Sequence, residues 1–129
     1  MRDAIVDHVF ICPANFDESY KFYTTTMGLE PKSSWGGDGE PRGALLSSGR
    51  FVVVLAEPHP EDKDQSWAAG YKENRPTIHL AVKNLDKAFS EMKTKDRVRI
   101  APEQTHWGTK WFVLEDPDGN MIAINEQSD

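Results

Sequence analysis

The 129-residue sequence predicts an α+β fold built from two similar halves, each a strand, a helix and three further strands. Three observations predict it. The first is internal likeness at a fixed offset, since Phe89 and Met92 stand 69 positions after Tyr20 and Tyr23. The second is a shared opening: a strand with a central histidine (His8, His79), followed by Asn15-Phe16-Asp17 in one half and Asn84-Leu85-Asp86 in the other. The third is a closing β-hairpin, in which Lys110–Leu114 and Met121–Ile124 flank Asp116-Pro117-Asp118-Gly119-Asn120. Proline, aspartate and a glycine free to take positive φ make that stretch a turn. One half alone is a curled sheet with a helix behind it and a bare second face; two halves together can enclose a cleft.

The elements follow in order. Residues Ile5–Ile11 read as a strand, and Asn15 then caps a helix with Glu18 three residues on. Phe16, Tyr20, Tyr23 and Met27 share one helical face, and Gly28 ends it. Leu29–Ser34 reads as a strand, Trp35–Pro41 as a glycine-rich loop, and Gly43–Ser47 and Phe51–Ala56 as strands joined at Ser48-Gly49-Arg50. The loop matches neither the dinucleotide nor the P-loop pattern. Residues 58–76, rich in proline and charge, read as a connector with a turn of helix near Trp67. The second half opens with Thr77–Val82, continues through a helix carrying Leu85, Ala88, Phe89 and Met92, and adds Val98–Ala101 before the hairpin. The chain is therefore one domain, 1–129, with module one at 3–57 and module two at 77–127.

Composition narrows the function. A net charge of −6, with scattered Lys and Arg, argues against nucleic acid and favours cationic partners. A single cysteine, Cys12, excludes an internal disulfide framework; it sits in an apolar run before Pro13 and reads as a buried, inert thiol. Arg2, Asp3 and Asp7 interrupt any signal-peptide core, and the apolar run Phe51–Ala56 is too short to span a bilayer. The expected location is the cytoplasm, with no membrane partner.

Together, the paired modules, the histidine-bearing first strands, the Asn-hydrophobic-Asp helix starts and the Trp107-Gly108…Phe112…Asp116-Pro117-Asp118-Gly119-Asn120 ending resemble the vicinal oxygen chelate superfamily. That superfamily holds glyoxalase I, bleomycin-resistance proteins, fosfomycin-resistance thiol transferases and extradiol dioxygenases. The resemblance spans roughly Ile5 to Glu126 and implies an eight-stranded curled sheet around a cleft, commonly in a homodimer. It also implies that metal-binding members take His or Glu ligands from the first and last strands of each module. Such donors suit a divalent ion with an open position for substrate.

His8 and His79 fall where the resemblance implies histidines. The position four residues after the turn glycine, where relatives carry the last ligand, is Ala123, and its counterpart is Val53 or Val54. Glu57 and Glu126 lie at strand ends, and Glu126 has the opposite parity to Ala123, so only a register shift would bring it to the ligand side. Three readings of the histidines stay open: cleft-facing imidazoles touching an organic ligand, metal ligands completed by Glu57 or Glu126, or core histidines without a role. His59 and His106 lie in loops and are expected at the surface. Trp35 and Trp107, each in a loop beside glycine, are the aromatic ligand-binding candidates, with rim packing the alternative; Trp111 is expected in the core.

Two functions result. The first is a bleomycin-resistance-type protein that holds a flat or cationic organic ligand through His8, Trp35, His79 and Trp107, without a metal site and with no catalytic residue assigned. The second is a metal-dependent, glyoxalase-like lyase, isomerase or transferase using a divalent ion on His8, His79 and Glu57 or Glu126. Glutathione suits the second poorly, because Cys12 stands where glyoxalase I carries a basic residue.

Overall fold

The structure, a computed structural model, describes residues 2–3, 7–58, 78–105 and 108–127. Among the described residues eight strands and two α-helices appear in the order β1 Val9–Ile11, α1 Phe16–Lys21, β2 Glu30–Gly37, β3 Glu40–Ser48, β4 Phe51–Ala56, β5 Ile78–Val82, α2 Leu85–Glu91, β6 Val98–Gln104, β7 Lys110–Glu115 and β8 Met121–Glu126. The class is α+β, as the sequence predicts. The strands form two four-stranded mixed sheets, ordered β1-β4-β3-β2 and β5-β8-β7-β6. In each, the first strand pairs in parallel with the last, and the remaining pairs are antiparallel. The chain divides into two compact units, Met1–Gly70 and Tyr71–Asp129.

In unit 1, Asn15 has extended backbone and its Oδ1 accepts from Glu18 N at 2.9 Å, satisfying one of the free amides of the first helical turn. The predicted apolar face buries Phe16 and Tyr23. The helix then widens into a π-helical turn over Phe22–Thr26, so that Phe22 as well as Tyr23 is buried, their rings meeting edge to face at 4.9 Å. Gly28, at φ +73°, reverses the chain, and Leu29 N donates back to Tyr23 O at 2.9 Å. Ala44, Leu46, Val53 and Leu55 bury the helix side of the sheet.

Unit 2 repeats the plan. Asn84 Oδ1 accepts from Lys87 N at 3.0 Å, with φ and ψ (−132°, 102°) nearly those of Asn15 (−132°, 104°). Leu85, Phe112, Leu114, Ile122 and Ile124 pack on the helix side, where the rings of Phe89 and Phe112 meet at 5.1 Å. Between β7 and β8 the fully buried Asp116 organises the turn. Its Oδ1 accepts from Asp118 N (2.9 Å) and Asn120 N (2.7 Å), and its Oδ2 accepts from Asn120 Nδ2 at 2.7 Å. Gly119, at φ +87°, completes it.

Three expectations need correction. Trp35-Gly36-Gly37 is not loop but the end of β2, which with β3 makes a longer hairpin turning at Asp38-Gly39. Cross-strand pairing through Trp35↔Gly43 and Gly37↔Glu40 carries the ladder across glycines whose low strand propensity argued for a loop. Likewise β6 runs past Ala101 to Gln104, through Pro102, which an edge strand tolerates. Trp111, expected in the core, is only half-buried. The expected strand start at Ile5 and the helical turn at Trp67 lie outside the described residues.

Candidate functional site

Strand parity gives each sheet a helix side and an open side. In unit 1, β4 pairs Phe10 with Val54 and β3 pairs Leu45 with Val54, while Gly43 joins Ala56 to Trp35. These residues alternate with the buried set and so occupy the open side. Phe10 and Trp35 are 49% and 46% exposed, the exposed large hydrophobic side chains among the described residues. The Trp35 indole lies over Gly43: a Cβ placed on that glycine would sit 2.1 Å from the indole Cε2. Glycine at 43 is thus what lets the indole lie on the sheet, and the open side of unit 1 becomes an aromatic, apolar platform.

In unit 2 the side of the sheet away from α2 carries His79, Ala123 and Val113 in one row, of which only His79 is exposed, and Ala81, Asn125, Trp111 and Glu103 in the next. His79 is exposed, with Asn125 Nδ2 3.5 Å from its Nδ1. Trp111 Nε1 donates to Glu103 Oε1 at 3.0 Å. Here an indole, a carboxylate, a carboxamide and an imidazole share one surface.

The sequence-predicted residues are placed as follows. His79 pairs with Ala123, so the position of the last family ligand lies beside the histidine but has no donor atom. His8 precedes β1, exposed, with Nδ1 2.7 Å from Asp7 Oδ2. By pairing, the counterpart of His79↔Ala123 in unit 1 is Phe10↔Val54, one pleat beyond His8. This pairing also decides between Val53 and Val54. Trp107 and His106 lie outside the described residues, as does His59; on either side of them Thr105 Oγ1 and Thr109 Oγ1 lie 2.8 Å apart.

The two carboxylates face the other way. Glu126 Oε2 accepts from Leu85 N at 3.0 Å, taking a free amide at the start of α2 on the helix side of the sheet. No bulge interrupts the β5–β8 pairing from Ile78↔Ile122 to Val82↔Glu126, so the shift that would turn Glu126 toward His79 does not occur. Glu57 Oε1 accepts from Arg42 N (2.8 Å) and Arg42 Nε (3.1 Å), and Arg42 Nη1 reaches Asp17 Oδ1 at 2.8 Å. The Arg42 guanidinium also stacks 4.8 Å above Phe16. Hydrogen bonds from the Arg42 side chain, then from its backbone, hold Glu57 below the ordinary carboxylate range, and the same pairing raises Arg42. The site residues therefore do not fit a metal held by these histidines and glutamates, because both carboxylates fasten helix to sheet. Among the described residues no cluster of three or more His, Cys, Asp or Glu side chains gathers.

A shallow hollow of about 500 Å³ opens beside the β2–β3 turn, lined by residues 37–42, Glu57 and Pro58. Of its polar lining residues Arg42 and Glu57 already bond each other, and no aromatic lines it, so the open faces are the better candidate surfaces. Sequence reading missed Phe10, Asn125 and Glu103 and misplaced Trp111. Phe10 has the parity of His8, and Asn125 that of Ala123, so alternation alone could have found both.

Element order and sheet topology together define a duplicated βαβββ protein. The family model of the Glyoxalase/Bleomycin resistance protein/Dioxygenase superfamily matches residues 5–124, and the chain belongs to that superfamily. Among solved structures it resembles TnmS3, an antibiotic binding protein from Streptomyces sp. CB03234, with a TM-score of 0.69 and 19% identity over 99% of each chain. It also resembles a superfamily member from Sphaerobacter thermophilus DSM 20745, with a TM-score of 0.65 and 21% identity over 98% of this chain and 100% of that one. TioX from Micromonospora sp. ML1 matches with a TM-score of 0.68 and 14% identity over 95% of this chain and 100% of that one. At such identities the likeness is one of fold. No curated protein matches the chain. No helix among the described residues is long and apolar enough to cross a membrane.

Proposed function

We propose that the protein binds a small, flat organic compound on the open face of a sheet, in the manner of the antibiotic-binding protein it resembles. The observation that carries this reading is the exposed pair Phe10 and Trp35, with the indole laid over Gly43. A soluble protein gains nothing in stability by leaving two large aromatics half in water; an aromatic ligand covering them removes that apolar area from solvent. On its own face the second sheet offers polar and stacking contacts from His79, Asn125 and Trp111, and Trp107 and His8 remain ligand-contact candidates. The chain acts as one binding domain, connector 58–76 included, and as a cytoplasmic homodimer.

The test is titration with a panel of planar aromatic compounds, read by tryptophan fluorescence and calorimetry. Saturable binding that Trp35→Ala weakens about tenfold is expected, the scale of one lost stacking contact. Absence of saturable binding across the panel would defeat the reading. So would one tightly held divalent ion per chain, found by elemental analysis and lost in His79→Ala, which would favour the glyoxalase-like enzyme instead.

A further inference from the structure

Both outer strands shift register early, between Pro31 and Ser33 in β2 and between Val98 and Ile100 in β6, but β6 shifts again between Ile100 and Glu103, where β2 stays in step. In β2, Ser33, Ser34 and Trp35 pair in step with Leu45, Ala44 and Gly43. In β6, Ile100 pairs with Val113 and Glu103 with Trp111, so three steps on one strand oppose two on the other. Without that extra residue Pro102, not Glu103, would stand beside Trp111. A bulge of this kind re-aims a side chain. Here it brings a carboxylate onto the open face next to an indole, and Trp111 Nε1 fixes one oxygen, Oε1, at 3.0 Å. The second oxygen has no hydrogen-bond or cationic partner among the described residues.

The neighbouring acids are committed otherwise. Glu115 accepts from Arg99 Nε at 2.7 Å, and Glu126 caps α2. No lysine or arginine pairs with Glu103 among the described residues. A fixed carboxylate beside an indole attracts positive charge twice, by Coulomb force and through the face of the ring.

We propose that Glu103 makes the site selective for ligands that carry a positive charge on or beside their aromatic ring, such as a quaternary or protonated nitrogen. This rests on the open faces being the ligand platform. Trp111 orients the carboxylate and stacks on the ring; Glu103 reads the charge.

The probes are N-methylacridinium and acridine, nearly the same shape, compared by calorimetry in mildly alkaline buffer where acridine is uncharged. Wild-type protein is expected to prefer the cation by about fivefold, the scale of one charge contact near 4 Å in largely aqueous surroundings. Raising the salt concentration should shrink that preference, with little change for acridine. In Glu103→Gln the side-chain oxygen can still accept from Trp111 Nε1 while the charge is gone. That variant should melt like wild type, bind acridine within about twofold of wild type and lose the preference. If both probes bind but wild type shows no preference, or Glu103→Gln and Glu103→Ala both keep it, the inference fails and the ligand-binding reading stands. If neither probe binds wild type, that reading fails and takes the inference with it.

Discussion

The two sheets share a plan but display different chemistry on their open faces. Each places one indole at the same point of the ladder, in the row of Ala56 and Gly43 in unit 1 and of Asn125 and Trp111 in unit 2. The indole comes from different strands. In unit 1 it is sent from β2 across a glycine; in unit 2 it stands on β7 itself, with Glu103 bonded to its nitrogen. Around it, unit 1 presents Phe10, Val54 and Leu45, whereas unit 2 presents His79, Asn125 and a carboxylate. After duplication the scaffold has been kept and the faces have diverged, one toward apolar stacking and the other toward polar selection. The helix sides diverged less. Asp17, Arg42 and Glu57 recur as Asp86, Lys110 and Glu126, fastening the first helical turn to the ends of two strands.

The sharpest way to break the comparison is at the last turn of each sheet. In unit 2 the buried Asp116 accepts from Asp118 N, Asn120 N and Asn120 Nδ2, whereas in unit 1 the β3–β4 turn passes through exposed Ser48, Gly49 and Arg50. Asp116→Ala strands the amides of Asp118 and Asn120 and should cost about 3 kcal/mol in chemical denaturation. Ser48→Ala should stay within about 0.5 kcal/mol. Equal effects would show that the turns carry the same share of stability.

A second substitution converts one face toward the other. Gly43→Ala puts a methyl group where the Trp35 ring lies, and the exposed indole, not the ladder, has to move. Stability should change by less than about 1 kcal/mol, while affinity for a planar ligand drops about tenfold, as in Trp35→Ala. Unchanged affinity would show that the seating of Trp35 over Gly43 is incidental.

Much of this was legible in the residues. The duplication, the Asn caps, the closing turn and the wrong parity of Glu126 all follow from period and propensity, which are local properties. What stayed hidden depends on pairing between strands. Trp35 reads as loop because its glycine neighbours disfavour a strand, yet the partner strand supplies the ladder. Glu103 becomes a surface partner of Trp111 through one extra residue in β6, and no propensity marks a bulge beyond the hint of Pro102. The alignment of His79 with Phe10 was obscured because His8 lies two residues away on the same parity, so both positions look equivalent until the register is known.

The smallest expected effect lies on the conserved plan of the helix sides. Arg42 forks to Glu57 and Asp17, while Lys110 meets Asp86 at 2.6 Å and leaves Glu126 to α2. Glu57 has its folded value lowered, chiefly by the Arg42 side chain. A lowered carboxylate stabilises the fold above its ordinary unfolded value and loses that contribution as pH falls through the folded one. Glu57→Gln should therefore lower Tm by a few degrees at neutral pH, roughly the effect of one half-exposed ion pair. The gap to wild type should close as the solution is acidified through the carboxylate range. Lys110, raised mainly by Asp86, runs the other way: Lys110→Met should differ from wild type up to the ordinary lysine range and converge above it. A gap in Glu57→Gln that stays constant into acid would mean that the clamp works through packing of Arg42 on Phe16 and not through charge.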